Sequence, residues 1–270
     1  MVISSALFNL TPGDIVYDIE TYPNAFTFSG YHTGEERWFK FEISFRQNDL
    51  WLFCRFMEAC WLDCRWVGFN NIYFDYPVCH FIYFNQNQFI SVTDIYQKAM
   101  AIISSKNRFA HVVWDSDQIV KQIDIFKIHH FDNMAKATSL KVLEFNMRME
   151  SIEDLPFPVG TELTEEQLNT LIEYNDYDVY ATVEFFNRTK DMIKLRENLG
   201  SQFSMNLINC NDVKIGEKIL VHEMENTGIK CYEWIDGKKR KRQTQRDEIV
   251  LADAIFHYVQ FESPEFNRIL

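Results

Sequence analysis

Val16-Tyr17-Asp18-Ile19-Glu20-Thr21 reads as a β-strand, an apolar and aromatic run carrying two acids. Residues i and i+2 of a strand share a face, so Asp18 and Glu20 are held side by side. Like charges so close raise each other's pKa. A divalent cation between them relieves the repulsion, and hard oxygen donors on a rigid strand suit Mg2+ or Mn2+. The pair alone also fits an edge strand with two solvated acids.

The flanking sequence extends this strand into a sheet. GDIVYDIE, AFTFSGYH and RWFKFEI, separated by Tyr22-Pro23-Asn24 and Thr33-Gly34, predict a three-stranded meander over 14–41. Leu50, Leu52, Phe53, Phe56, Met57 and Cys60 make one broad apolar face and predict a helix near 48–62. A buried strand over 65–70 follows, then helices from Asp75 or Tyr76 and over 93–104. Residues 119–128, containing Asp124, read as one strand, and 138–147 as a short helix. Thr164-Glu165-Glu166-Gln167 fits a capping box, opening a helical stretch with a break expected near Asp176. Strands followed by alternating helices and strands predict an α/β domain on a mixed sheet. Beyond residue 205 come a helix near 211–226, a strand over 229–235 and a turn at Asp236-Gly237. The expected domains are therefore 1–205 and a smaller α+β appendage, 206–270.

Of 270 residues, 47% are hydrophobic, enough to build a core of that size, and Gly and Pro are few, which excludes a linker-rich chain. No apolar run approaches the length of a membrane span, so no membrane partner is expected. MVISSALFNLTPGD lacks the basic-then-apolar pattern of a secretory signal. The six cysteines include no Cys-x-x-Cys pair. Cys60 and Cys64 read as helical i, i+4 core packing, and Cys79-His80 as core rather than zinc ligands. Free thiols imply a reducing cytosol. The net charge of −12 is the main argument against nucleic-acid binding, since phosphate affinity normally needs a basic surface. The exception is Lys238-Lys239-Arg240-Lys241-Arg242, which reads equally as a phosphate-contacting patch or a solvated loop.

Three segments carry acids in distinctive settings. They are Asp18-Ile19-Glu20-Thr21, then Asn70-Asn71-Ile72-Tyr73-Phe74-Asp75, where the acid opens a helix, and Tyr174-Asn175-Asp176-Tyr177-Asp178 inside a helix. Tyr174 and Asp178 lie four apart and share a helix face. In order and spacing the set resembles the three exonuclease motifs of the DEDD superfamily, tyrosine-containing branch. That branch includes the proofreading domains of many DNA polymerases. Asp-x-Glu is matched by Asp18 and Glu20, the Asn before an aromatic-Asp pair by Asn70 and Phe74-Asp75, and Tyr-x-x-x-Asp by Tyr174 and Asp178. Residues 123–178 and the tail KKRKRQTQRDEIVLADAIF also resemble bacteriophage DNA polymerases. The polymerase palm motif is missing, which implies a separate exonuclease subunit or an excised domain.

The resemblance implies a ribonuclease-H-like domain that hydrolyses single-stranded or mismatched DNA 3′ ends from 3′ to 5′, in replication or proofreading. It implies two divalent metal ions, Mg2+ or Mn2+, about 3.5–4 Å apart. Asp18, Glu20 and Asp178 would hold one, Asp18 would bridge to the other, and Asp75 would hold the second. Tyr174 would orient the attacking water rather than act as a base, its ordinary pKa being about 10. Thr21, Asn70 and Phe74, beside the acids, are candidate nucleic-acid contacts, with Lys238, Lys239, Arg240, Lys241 and Arg242. The implied partners are DNA 3′ ends and a DNA polymerase subunit or domain, in the cytoplasm, or the host's cytoplasm for a phage-encoded chain. An exoribonuclease with the same site, or a non-catalytic docking module, are the alternatives.

Other residues read as follows. Asp176 is expected to be solvated, and Asp124 either reaches the site or makes structural hydrogen bonds. His129-His130 reads as a satisfied pair. Thr138-Ser139-Leu140-Lys141 reads as a capped surface helix or a phosphate-binding helix start. Tyr22, Phe69 and Phe74 flank the acids and are candidates for base stacking.

Overall fold

The computed structural model describes residues 7–88, 90–243, 246–250 and 254–269. The start of the N-terminal stretch, and residues 244–245 and 251–253 of the tail, lie outside the described residues. Two compact units divide the chain, Met1–Ile215 and Gly216–Leu270.

The first unit is an α/β fold on a five-stranded mixed sheet. The meander is β1 (Gly13–Tyr22), β2 (Ala25–His32) and β3 (Arg37–Ser44). After α1 (Leu50–Cys60), β4 (Cys64–Gly68) returns parallel to β1. Helices α2 (Asp75–Asn85) and α3 (Val92–Ile103) lead to β5 (Lys121–Asp124), parallel to β4. The sheet order is β3-β2-β1-β4-β5, with β1 and β2, and β2 and β3, antiparallel. Then follow α4 (Ile125–Ile128), α5 (Leu140–Met147) and the long α6 (Glu165–Phe203).

Both faces of β1 are used. Ile15, Tyr17 and Ile19 point into an aromatic core with Phe28, Phe53 and Trp66, on the face covered by α1 to α3. Val16 points the other way and packs with Val67, Ile123, Val179 and Phe186. Alternation thus sends Asp18 and Glu20 to the side where α6 lies. Pairing of β1 with β4 stops at Val16, opposite Val67. Asp18 and Glu20 therefore sit where β1 outruns its parallel neighbour, at the carboxyl ends of the parallel strands. Open α/β sheets form their ligand crevices there.

Four local expectations differ from the structure. Residues 119–128 are not one strand. Asp124 ends β5, and its carboxylate accepts from the N–H groups of Phe126 and Lys127 at 3.0 and 3.4 Å, turning the chain into α4. There is no break near Asp176. The capping box forms, with Thr164 Oγ1 accepting from Gln167 N–H and Gln167 Oε1 from Thr164 N–H. The polar residues at 175 and 176 stay helical because their side chains are tied to the sheet, as described below. Cys60 and Cys64 share no helix, since Cys60 ends α1 and Cys64 opens β4. All six cysteines are unpaired. Tyr22 does not face a ligand: it is buried, and its hydroxyl donates to Phe157 C=O at 2.7 Å.

Residues 206–215 pack with the first unit. Asn209 acts as a short pairing partner for the edge strand β5, accepting from Asp124 N–H and donating to Gln122 C=O, both at 2.8 Å. Helix α7 (Asp212–Asn226) begins in this unit. Arg196, fully buried, donates to the carbonyls of Cys210 and Met192 and to Asp212.

The second unit contains the hairpin β6 (Tyr232–Ile235) and β7 (Lys238–Lys241), and α8 (Pro264–Ile269). Asp236 and Gly237 both have positive φ, 50° and 70°, as a two-residue primed turn requires. The basic run is therefore largely β7 itself. All its residues are exposed, with Lys241 paired to Glu217 at 2.8 Å and Lys239 over the Tyr232 ring. Among the described residues no helix is long and apolar enough to cross a membrane.

Candidate active site

Three chain segments converge beside β1. Asp18, Glu20 and Asp178 each present a carboxylate oxygen within 4.8 Å of the others. Asp18 and Glu20 come from the strand, and Asp178 from the middle of α6, which packs on β1 and β2. Tyr174, one turn earlier, is buried, and its hydroxyl lowers the pKa of Asp178.

Asp75 arrives by a separate route. After β4 the chain turns sharply at Gly68. A Cβ there would come within 2.7 Å of the Asn71 Cβ, so glycine is required for the close approach. Asn70 adopts φ 67°, a left-handed conformation that Asn tolerates. Asp124 anchors this loop by accepting from Asn70 N–H at 3.0 Å and Ile72 N–H at 3.4 Å. Asn71, fully buried, donates to Gln122 Oε1, which also accepts from Tyr17 Oη. Asp75 then opens α2. It lies outside the 4.8 Å set, yet its charge acts on both Asp18 and Glu20.

Every acid of the set is pushed above its ordinary range. Burial is the first cause for Asp18 and Glu20, followed by the surrounding carboxylates. Asp75 is raised to about 7 by burial, with Asp124 and Asp178 adding repulsion and backbone N–H groups opposing it. Asp178 is raised to about 7 by burial, partly offset by the Tyr174 hydroxyl and by Lys141. Tyr174 is raised far beyond the usual tyrosine range, by burial and then by the acids, so it stays protonated and serves only as a hydrogen-bond donor. A cluster made only of carboxylate oxygens, destabilised by mutual repulsion, fits a hard divalent cation.

Sequence reasoning missed three contributors. Asn175, fully buried, donates to Asp18 Oδ2 at 2.8 Å and accepts from Thr27 Oγ1 at 3.1 Å, fixing the Asp18 carboxylate against β2. Its position between Tyr174 and Asp178 was the only signal. Lys141, at the start of α5, lowers the pKa of both Glu20 and Asp178 and is paired with Asp154. Glu144, one turn on, is buried with neither carboxylate oxygen hydrogen-bonded, and its charge raises Asp178.

Several other expectations resolve here. Asp176 is not solvated: it accepts from Ser29 Oγ at 2.6 Å and pairs with Lys40, tying α6 to β2 and β3. Asp124 is structural. Ser139 caps α5, accepting from Val142 N–H. His129 bonds Thr189 Oγ1 at 2.9 Å, and burial lowers its pKa. Phe69 packs against Phe126, Phe131 and Phe185 rather than standing free. Thr21, Asn70 and Phe74 are half-buried.

These shifts set a pH dependence. Unfolded, the carboxylates titrate near 4; folded, Asp75 and Asp178 titrate near about 7 and Asp18 and Glu20 are also raised. In that interval the native state holds more protons, so the stability they contribute is present below about pH 4 and lost as pH rises through their folded pKa values. In chelator the melting temperature should be lower at about pH 8 than at about pH 5, by roughly 5 °C. Mn2+ should restore it at the higher pH and do little at the lower. A metal-free melting temperature that rises across this interval would contradict the repulsion.

No protein-family model matches the chain, and no curated protein matches its sequence.

Proposed function

We propose that this chain is a metal-dependent 3′→5′ exonuclease acting on single-stranded or mismatched DNA ends, built on a ribonuclease-H-like sheet. The observation that carries it is the meeting of Asp18 and Glu20 with Asp178, from segments about 160 residues apart, with the Tyr174 hydroxyl acting on Asp178 from one helical turn away. Asp75, the fourth acid of the resemblance, is electrostatically joined to them. The order β3-β2-β1-β4-β5, a meander continued by two parallel strands, supports the fold reading.

Asp18, Glu20 and Asp178 would hold a divalent ion, Mg2+ or Mn2+, and Asp18 with Asp75 a second. Such ions activate water and stabilise the leaving oxygen in a phosphodiester hydrolysis. The chain's own residues supply position. Asn175 holds Asp18 in one rotamer through its hydrogen bond. Tyr174 holds Asp178 and presents a protonated hydroxyl that orients the attacking water. Asp75, at the start of α2, is kept in place by the loop that Asp124 anchors. The DNA-contact role of the run 238–242 is part of the same proposal.

The test is a nuclease assay on 5′-labelled DNA and RNA oligonucleotides with Mg2+ or Mn2+, with and without chelator. Stepwise shortening from the 3′ end, blocked by chelator, is expected. Mismatched 3′ ends should be degraded faster than matched duplex ends, because a mismatch has already met part of the unpairing free energy. Equal rates on the two would remove the proofreading reading. Faster cleavage of RNA would favour an exoribonuclease, and no cleavage a docking module.

A further inference from the structure

The loop that delivers Asp75 also forms one wall of a second feature. A cavity of about 410 Å3 is lined by Asn70, Tyr73, Phe74, Asn107, Arg108 and His111, among others. The Arg108 guanidinium lies 4.4 Å from the centre of the Tyr73 ring and 5.4 Å from that of Phe109. Tyr73 and Phe109 meet edge-to-face at 6.0 Å. Lys127 stands 5.0 Å from the Tyr73 ring centre.

Arg108 is held, not waving. Its Nη1 donates to Asp132 C=O at 3.1 Å, and Nη2 stands 3.7 Å from the Asp132 carboxylate. Phe109 sits on a turn closed by Ala110 N–H donating to Asn107 C=O, and is 53% exposed. An aromatic side chain lifted into solvent on a closed turn, beside a fixed guanidinium, contributes little to the core. Lys127, and Lys98, which donates to His111 Nδ1 at 3.2 Å, add positive charge nearby. In a chain of net charge −12, this is a local cationic and aromatic surface in the same unit as the acids.

Stacked rings and planar guanidinium groups bind unpaired bases without reading their edges, while adjacent cations attract phosphates. Phe74, in the wall of this cavity, directly precedes Asp75 in the chain. Resting on the exonuclease reading, we infer that Tyr73, Arg108, Phe109 and Lys127 form a platform for the single-stranded DNA upstream of the scissile nucleotide. Bases stack on Phe109 and Arg108, and the backbone runs past Lys127.

The test compares Arg108→Ala, Phe109→Ala and Arg108→Lys with wild type on a twelve-nucleotide single strand and on a dinucleotide, in Mg2+. Both altered side chains are exposed, and melting temperatures check the fold. The two alanine variants should each raise KM on the longer strand about tenfold and leave kcat unchanged. The dinucleotide, too short to reach the platform, should be cut alike by all. Arg108→Lys should lose most of the effect of Arg108, since charge without a planar face stacks poorly. A 2-aminopurine placed along the strand should be quenched at an upstream position, and Phe109→Ala should relieve that quenching. Wild type that cuts the long strand with the same KM as the variants overturns the platform alone. An equal loss on the dinucleotide also overturns it. Wild type that binds and quenches but cuts nothing overturns the exonuclease reading alone, and one that does neither overturns both.

Discussion

On the proposed exonuclease reading, Asp178→Asn is expected to abolish metal-dependent cleavage, by on the order of 10^3-fold or more, because the charge of a proposed metal ligand is removed. The fold should survive. The amide keeps the shape of the carboxyl. Removing one charge from a set of mutually raised acids relieves repulsion, so the metal-free melting temperature at about pH 8 should hold or rise. The stabilisation that Mn2+ gives the wild type should vanish. Asp18→Asn should behave alike, with Asn175 still able to donate to the new amide oxygen. Both readouts are needed: cleavage alone reports loss of function, whereas metal-dependent melting reports the binding site. Cleavage by Asp178→Asn near the wild-type rate, or an undiminished Mn2+ shift, would refute the assignment.

Tyr174→Phe should slow hydrolysis on the order of 10^2-fold while leaving KM for a long single strand nearly unchanged. Its hydroxyl stays protonated across the working range, being raised by burial and by Asp178. It therefore cannot serve as a base, and the proposed role left to it is to position water. The pH dependence of the rate should accordingly keep the shape seen in wild type while its height falls. Loss of the hydroxyl also frees Asp178 of a donor, which pushes that carboxyl higher still and weakens metal binding modestly. A changed number of ionisations in the pH profile would mean Tyr174 transfers a proton, and an unchanged rate would mean it plays no part in orienting water.

Much of the site was legible because its spacing is local chemistry. Asp18 and Glu20 alternate onto one face of a strand whatever surrounds it, and Tyr174 and Asp178 meet on a helix by its own repeat. Thr164 and Gln167 announced the start of α6 for the same reason, since a capping box needs only four consecutive residues. Where a local rule failed, a distant partner had overridden it. The expected break at Asp176 does not occur because Ser29 and Lys40 take up its carboxylate. Asp124 reads as a strand residue, yet it ends the strand, because its oxygens are claimed by N–H groups on both sides of the sheet end.

The sequence by itself determined the acids, their pairing within each segment, and the α/β order of elements, since these follow from periods of two and 3.6 residues. Only the tertiary structure decided that the three segments meet. That depends on β1 outrunning β4 and on α6 crossing β1 and β2 so that Asp178 faces Glu20. It also decided which polar residues serve the acids. Asn175, Glu144 and the Arg108–Tyr73 stack have no signature along the chain, because their roles consist of contacts with residues 30 to 160 positions away. Electrostatic crowding has the same origin: a carboxylate is raised by what folding brings near it, and no composition or spacing records that neighbour.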